Sequence, residues 1–294
     1  MLTLCIPSRF VALVLAAANA VLAQQETEPP RYVWKAGDTH WFEIEKSLEA
    51  PRTSDPTLFQ GKSSIRFVVE LAIGKAKAKG EGFEASYVVR RIVSESDSPS
   101  GGEKLTYDSD TGDRASRLAN TFYPQELAEI VGQPFKLWID DRGGLHELKP
   151  PKVARSKDVE RILGTSGAAG LFGLCVPQLP AKALTAEETW SSQVDMTLSK
   201  DEPLVFDVTN KLTASEDGSV QVEQNFVPKK AEQATLELLE GKGTGGRAKD
   251  GAMLERKLDL SIKGRISMMG AQFEGKMGVR VATTAAWTPP KKRK

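Results

Sequence analysis

Cysteine and histidine are nearly missing from this chain, with two of each among 294 residues. Cys5 lies in the N-terminal apolar leader, so Cys175 is the one thiol of everything that follows. A single thiol closes no intramolecular disulfide, and the fold must be held by its core. The same scarcity excludes a structural zinc site of the usual cysteine-rich kind. Cys175 sits in the apolar stretch Leu171–Val176 and reads as a buried, inert thiol. His40 stands beside Trp41 at a strand start and His146 follows the Gly143-Gly144 turn, neither in a cluster with metal-ligand spacing. The G-x-S-x-G serine elbow is also lacking, since Gly164-Thr165-Ser166-Gly167 has neither the pattern nor a strand–turn–helix setting. Asp140-Asp141 is no carboxylate pair, because adjacent strand residues face opposite ways and Arg142-Gly143-Gly144 marks a turn. No catalytic, cofactor-binding or metal-ligating residue is therefore assigned, and no cofactor is expected.

Neither sign of charge dominates: 40 Lys and Arg stand against 39 Asp and Glu. The last four residues, Lys291–Lys294, are all basic, so the body is mildly acidic with a basic tail at 289–294. A nucleic-acid groove would need a basic face interleaved with aromatics, and none is present. Long hydrophobic runs are missing as well. The one extended run, Phe10–Ala23, is broken by Asn19 and is shorter than the roughly 20 apolar residues of a membrane span. It follows Arg9 and ends with Val21 and Ala23 before Gln24, the layout of a secretory signal. Residues 1–23 are read as a signal peptide, and the mature chain is expected outside the cytoplasm, periplasmic or extracellular. Cys5 precedes the run and cannot be a lipidated first mature residue. An exported chain does not meet importins, so Pro290–Lys294 is a solubilising tail or one attracted to anionic surfaces, not a nuclear address.

What the sequence has in quantity is period-two alternation. Residues 24–30 form a flexible leader. Ile65, Phe67, Val69, Leu71 and Ile73 then share one strand face opposite Arg66 and Glu70, and after Lys79–Gly82 the chain returns with Phe83, Ala85, Tyr87 and Val89 on one face. Further strands are expected at 104–109, 135–140, 145–148, 192–199, 204–212, 220–227, 236–240, 254–268 and 272–285. Pro124–Val131 and Ser156–Leu163 are spaced for short helices, the second with an N-cap serine. Residues 164–180, small, apolar and punctuated by proline, read as a crossover.

A repeat of order divides the chain. Gly37–Trp41 opens one half and Glu187–Ser191 the other, each followed by an alternating strand and a hairpin. The expected fold is mainly β: two related antiparallel lobes, sandwich or half-barrel like, with one or two short helices at the crossover. The first lobe and crossover occupy 31–180 and the second lobe 181–288.

Two features tempt further. Gly241–Gly246 satisfies G-x-G-x-x-G, but phosphate binding needs a following helix, and a turn and strand follow here. The stretch reads as a flexible hairpin loop. Trp34, Trp41, Trp138, Trp190 and Trp287 lie in or beside expected strands, as core packing or as the lining of an apolar cavity.

The order of elements resembles a family of secreted bacterial proteins of unknown function. The resemblance is carried by Lys35–Phe42, Ile139–Gly143, Val176–Pro180, Thr189-Trp190, Gly241–Gly243 and Asp250-Gly251. It implies export and β-architecture and supplies no catalytic residues. The functional expectation is a non-enzymatic envelope protein binding a hydrophobic ligand or another envelope component. A structural or protein-interaction module of the envelope is the alternative, with an enzyme third.

Overall fold

A computed structural model describes residues 28–50, 61–77, 82–97, 104–111, 128–152, 167–183, 188–195, 205–214, 217–229, 236–268 and 271–288. The expected signal peptide, the helix expected at Ser156–Leu163 and the basic tail lie outside them. Of the helix expected at Pro124–Val131, only the last four residues are described; Ala128 and Glu129 are helical and lead into a turn that buries Ile130.

The alternating segments form twelve strands: β1 (Thr39–Ala50), β2 (Gly61–Ala76), β3 (Phe83–Ser96), β4 (Leu105–Asp108), β5 (Pro134–Ile139), β6 (Leu145–Lys149), β7 (Thr189–Asp195), β8 (Val205–Ala214), β9 (Val220–Pro228), β10 (Leu236–Arg247), β11 (Lys257–Met268) and β12 (Ala271–Thr283). The one helix named in full among the described residues is α1 (Gly167–Gly173), inside the expected crossover. The fold is mainly β, as the alternation requires. The two halves of the chain, β1–β6 and β7–β12, are two runs of one antiparallel sheet. They join edge to edge where β1 pairs with β12, in the order β6-β5-β3-β2-β1-β12-β11-β10-β9-β8-β7, with β4 on the rim of β3.

The strands at the two ends of that order, β6 and β7, both touch α1. The sheet is thus rolled around the crossover, and its inner face buries alternate residues of each strand. Phe172 of α1 is fully buried there. It stacks on Tyr87 with ring centroids 4.4 Å apart and meets Phe135 edge-on at 5.2 Å. Truncating such a ring removes about 3–5 kcal/mol of packing.

A strap at residues 31–38 ties the halves together. Tyr32 donates its backbone N–H to Asp141 O at 2.7 Å in the β5–β6 turn, and Val33 donates to Gly251 O at 2.9 Å in the β10–β11 turn. Tyr32 Oη donates to Pro177 O at 2.9 Å, and Trp34 Nε1 to Asp140 O at 2.8 Å. The crossover reaches the same β5–β6 turn through Leu179 N–H to Arg142 O at 2.8 Å. Several of the short motifs quoted above therefore meet around one strap.

One expectation is corrected. Gly241–Gly246 is not a hairpin loop but the body of β10, paired on both sides with β9 and β11. Glycine run composition suggested a turn, whereas the cause is steric. Gly246 adopts φ +148°, and a Cβ there would collide with Val220 O. The run leads into a turn and then β11, with no helix after it.

Candidate functional site

Register places one row of inner-facing residues across nine of the twelve strands, from β7 to β3. Trp190 pairs with Asn210, Asn210 with Gln224, Gln224 with Gly243, and Gly243 with Leu258. The row continues through Val281, Ile44 and Phe67 to Ile92. From Leu258 onward it is wholly apolar. From Trp190 to Gln224 it is polar, although the residues before and after Asn210 and Gln224 on the same face are Val208, Leu212, Val222 and Phe226, all buried.

Hydrogen bonds fix the polar stretch. Asn210, with no exposed surface, donates through Nδ2 to Ser192 Oγ at 3.0 Å and to Trp190 O at 3.2 Å. Its Oδ1 accepts from Gln224 Nε2 at 2.8 Å. That bond sets the Gln224 amide with Nε2 toward Asn210, leaving Oε1 on the side of Gly243. Gln224 is 8% exposed, and its Oε1 is buried without a hydrogen-bond partner. Trp190 Nε1 is likewise buried and unpartnered. Buried polar atoms are paired in more than about nine cases in ten, so two unpaired ones flanking a single Asn210 mark this stretch. The other unpartnered side-chain atoms, on His40, Trp138, Arg247 and Ser261, share no such row.

Arg256 closes the end of the polar stretch. It is 1% exposed and lies under the crossover, donating through Nε to Leu174 O at 2.9 Å and through Nη1 to Thr244 O at 3.0 Å. No carboxylate pairs with it among the described residues. Burial draws its guanidinium down to about 10, which leaves it charged at neutral pH. Because residue 243 has no side chain, Arg256 Nη1 and Gln224 Oε1 both border the space above its Cα: a Cβ there would lie 3.0 Å from the first and 3.2 Å from the second.

The histidines are separated. His40 faces inward against Trp34, edge to face at 5.6 Å, and burial lowers its pKa against a smaller upward pull from Asp38. His146 lies on the outer face, stacked on Trp138 at 3.8 Å, with Nε2 2.8 Å from Asp140 Oδ2. Asp140 Oδ1 also accepts the backbone N–H groups of Arg142 and Gly144, at 2.9 and 2.8 Å. That carboxylate organises the turn on which the strap docks. No hydroxyl or thiol bonds to His146 among the described residues. Cys175 is fully buried, and its pKa is pushed up by burial, with Arg256 opposing. Among the described residues no group of His, Cys, Asp and Glu is arranged to hold a metal ion, and no helix is long and apolar enough to cross a membrane.

Of the five tryptophans, Trp34 and Trp190 face the interior. Trp41 and Trp138 project from the outer face, and Trp287 Nε1 donates to Asp110 Oδ2 at 3.3 Å in the turn after β4. An outer groove of about 470 Å³ runs past Trp138, bordered by Lys77, Glu84, Lys136, Glu147 and Lys149. Lys77 covers one face of the Trp138 ring at 4.3 Å and His146 the other, so the ring offers no free stacking surface.

No protein-family model and no curated protein matches the chain. Among solved structures it is similar to DynF from the dynemicin biosynthesis pathway of Micromonospora chersina, at 8% identity over 90% of this chain and 92% of that one, with a TM-score of 0.24. A protein of unknown function from the DUF3598 family of Nostoc punctiforme aligns at 10% identity over 83% and 96%, with a TM-score of 0.12. Likenesses this weak bear on neither activity nor ligand.

Proposed function

We propose that this chain is an exported, non-enzymatic binding protein of the bacterial envelope, holding a hydrophobic ligand within the rolled sheet. The observation that carries the proposal is the polar stretch Trp190–Asn210–Gln224 in an inner row that is apolar from Leu258 onward, with two of its buried polar atoms unpartnered. Its two buried, unpartnered atoms stabilise nothing in the protein alone and cost about 1–3 kcal/mol each. Sites that bind apolar molecules have this composition, a few placed polar groups on hydrophobic walls. The N-terminal apolar run and its small-residue end support export.

The test is a titration of the full mature protein with Nile red, an uncharged apolar fluorophore. Saturable binding in the wild type, weakened in Leu212→Glu (which sets a charge on the inner face beside Asn210) with the fold retained by circular dichroism, is the expected result. Failure to bind Nile red, or equal binding by both proteins, would overturn the proposal. Export is tested separately by N-terminal sequencing of the chain recovered outside the cytoplasm, with Gln24 expected first.

A further inference from the structure

We infer that the head group taken by the Trp190–Asn210–Gln224 row is uncharged and is both a hydrogen-bond donor and an acceptor, as in a primary amide or an alcohol. This rests on the binding role proposed above and narrows it to a ligand class.

The inner faces of β7, β8 and β9 carry no ionisable side chain among the described residues: Ser192, Asn210 and Gln224 are their polar groups, with the Trp190 indole at the edge. An ionised head seated against them would lose its hydration and gain no counter-charge from the row, a cost of several kcal/mol. Arg256 is the one nearby charge. Its approach to the row is guarded by Gln224 Oε1, since both border the space over Gly243. Oε1 is an acceptor, and the bond from Gln224 Nε2 to Asn210 Oδ1 prevents the amide from turning its donor there instead. The alternative orientation would also turn Asn210 Oδ1 toward Trp190 O, acceptor against acceptor.

A carboxylate or phosphate, which only accepts, would thus meet the lone pairs of Oε1 as it approached the guanidinium. A cationic amine would meet Arg256. A hydroxyl or a primary amide satisfies both sides, donating to Gln224 Oε1 and accepting from the neighbouring guanidinium. At the other end of the stretch Trp190 Nε1 donates and accepts nothing, so it too selects for an acceptor oxygen on the ligand. Each neutral partner filled in this way changes affinity by up to about tenfold.

The experiment displaces Nile red from the full mature protein with four probes that share one chain length: hexadecane, hexadecanamide, palmitate and hexadecylamine, below their aggregation limits. Hexadecanamide is expected to displace it at about tenfold lower concentration than the other three. In Trp190→Phe and in Gln224→Leu the ratio between displacement by hexadecanamide and by hexadecane should fall to about one. The Phe variant keeps an aromatic ring at that position, so the test survives if the Leu variant does not fold. Equal displacement by all four probes, or tightest binding by palmitate or hexadecylamine, overturns the neutral head group and leaves the apolar binding role standing. Absence of displacement by any probe overturns both.

Discussion

Gln224 gives its side-chain amide to Asn210 Oδ1 at 2.8 Å, and that single bond leaves Gln224 Oε1 buried beside Gly243 with no donor of its own. The arrangement is costly for the protein alone, and the predictions follow from that cost or from the framework that imposes it.

Replacing Trp190 by Phe removes a buried N–H that has no acceptor and leaves a smaller aromatic ring in its place. The unliganded protein should be as stable as the wild type or more stable by about 1 kcal/mol, read from urea unfolding midpoints. A loss above about 2 kcal/mol would mean that Nε1 has an internal partner and the row is purely structural.

Arg256 joins the crossover to β10 through Leu174 O and Thr244 O. Arg256→Met fills much of the volume but removes both hydrogen bonds that tie the crossover to β10, at an expected cost of about 2–4 kcal/mol. Protection of the amide protons of α1 and of the strap at 31–38 should fall before that of the β11–β12 hairpin, as hydrogen exchange would show.

Gly246→Ala forces a Cβ into Val220 O and should cost about 3 kcal/mol or abolish folding. Gly37→Ala meets nothing within 4 Å and carries only the strain of φ +94°, about 1 kcal/mol. Similar thermal shifts for the two would contradict the account of β10.

Burial raises the pKa of Cys175 above its ordinary 9.0. Above pH 9 the unfolded chain has lost this proton while the folded chain keeps it, so the folded state loses stability as pH rises. Cys175→Ala should therefore gain on the wild type between pH 9 and pH 11 in parallel denaturation curves. In the native protein at pH 8, iodoacetamide should leave Cys175 unlabelled until denaturant is added.

The strands were legible because alternation with period two is written into Ile65–Ile73 and Phe83–Val89 almost without interruption. Pairing of β1 with β12 was not, since the halves look alike and nothing local says that their edges meet. Gly241–Gly246 misled for a physical reason: glycine marks flexibility in a loop, and in a sheet it marks a close approach, and composition does not separate the two. The site left a trace that passes unnoticed in a count of polar residues. Asn210 and Gln224 fall on the apolar beat of their strands, between Val208 and Leu212 and between Val222 and Phe226, where a core residue is due. Arg256 left none, because its burial depends on a crossover about 80 residues earlier in the chain.

The central claim is that the Trp190 indole N–H awaits an acceptor supplied by a ligand. Indole N–H resonances of the five tryptophans can be resolved in a ¹⁵N–¹H spectrum, and the one missing from Trp190→Phe is that of Trp190. On titration with hexadecanamide this resonance should move downfield and saturate, while those of Trp41 and Trp138, on the outer face, stay in place. An unmoved Trp190 resonance in a protein that binds the amide would contradict the claim.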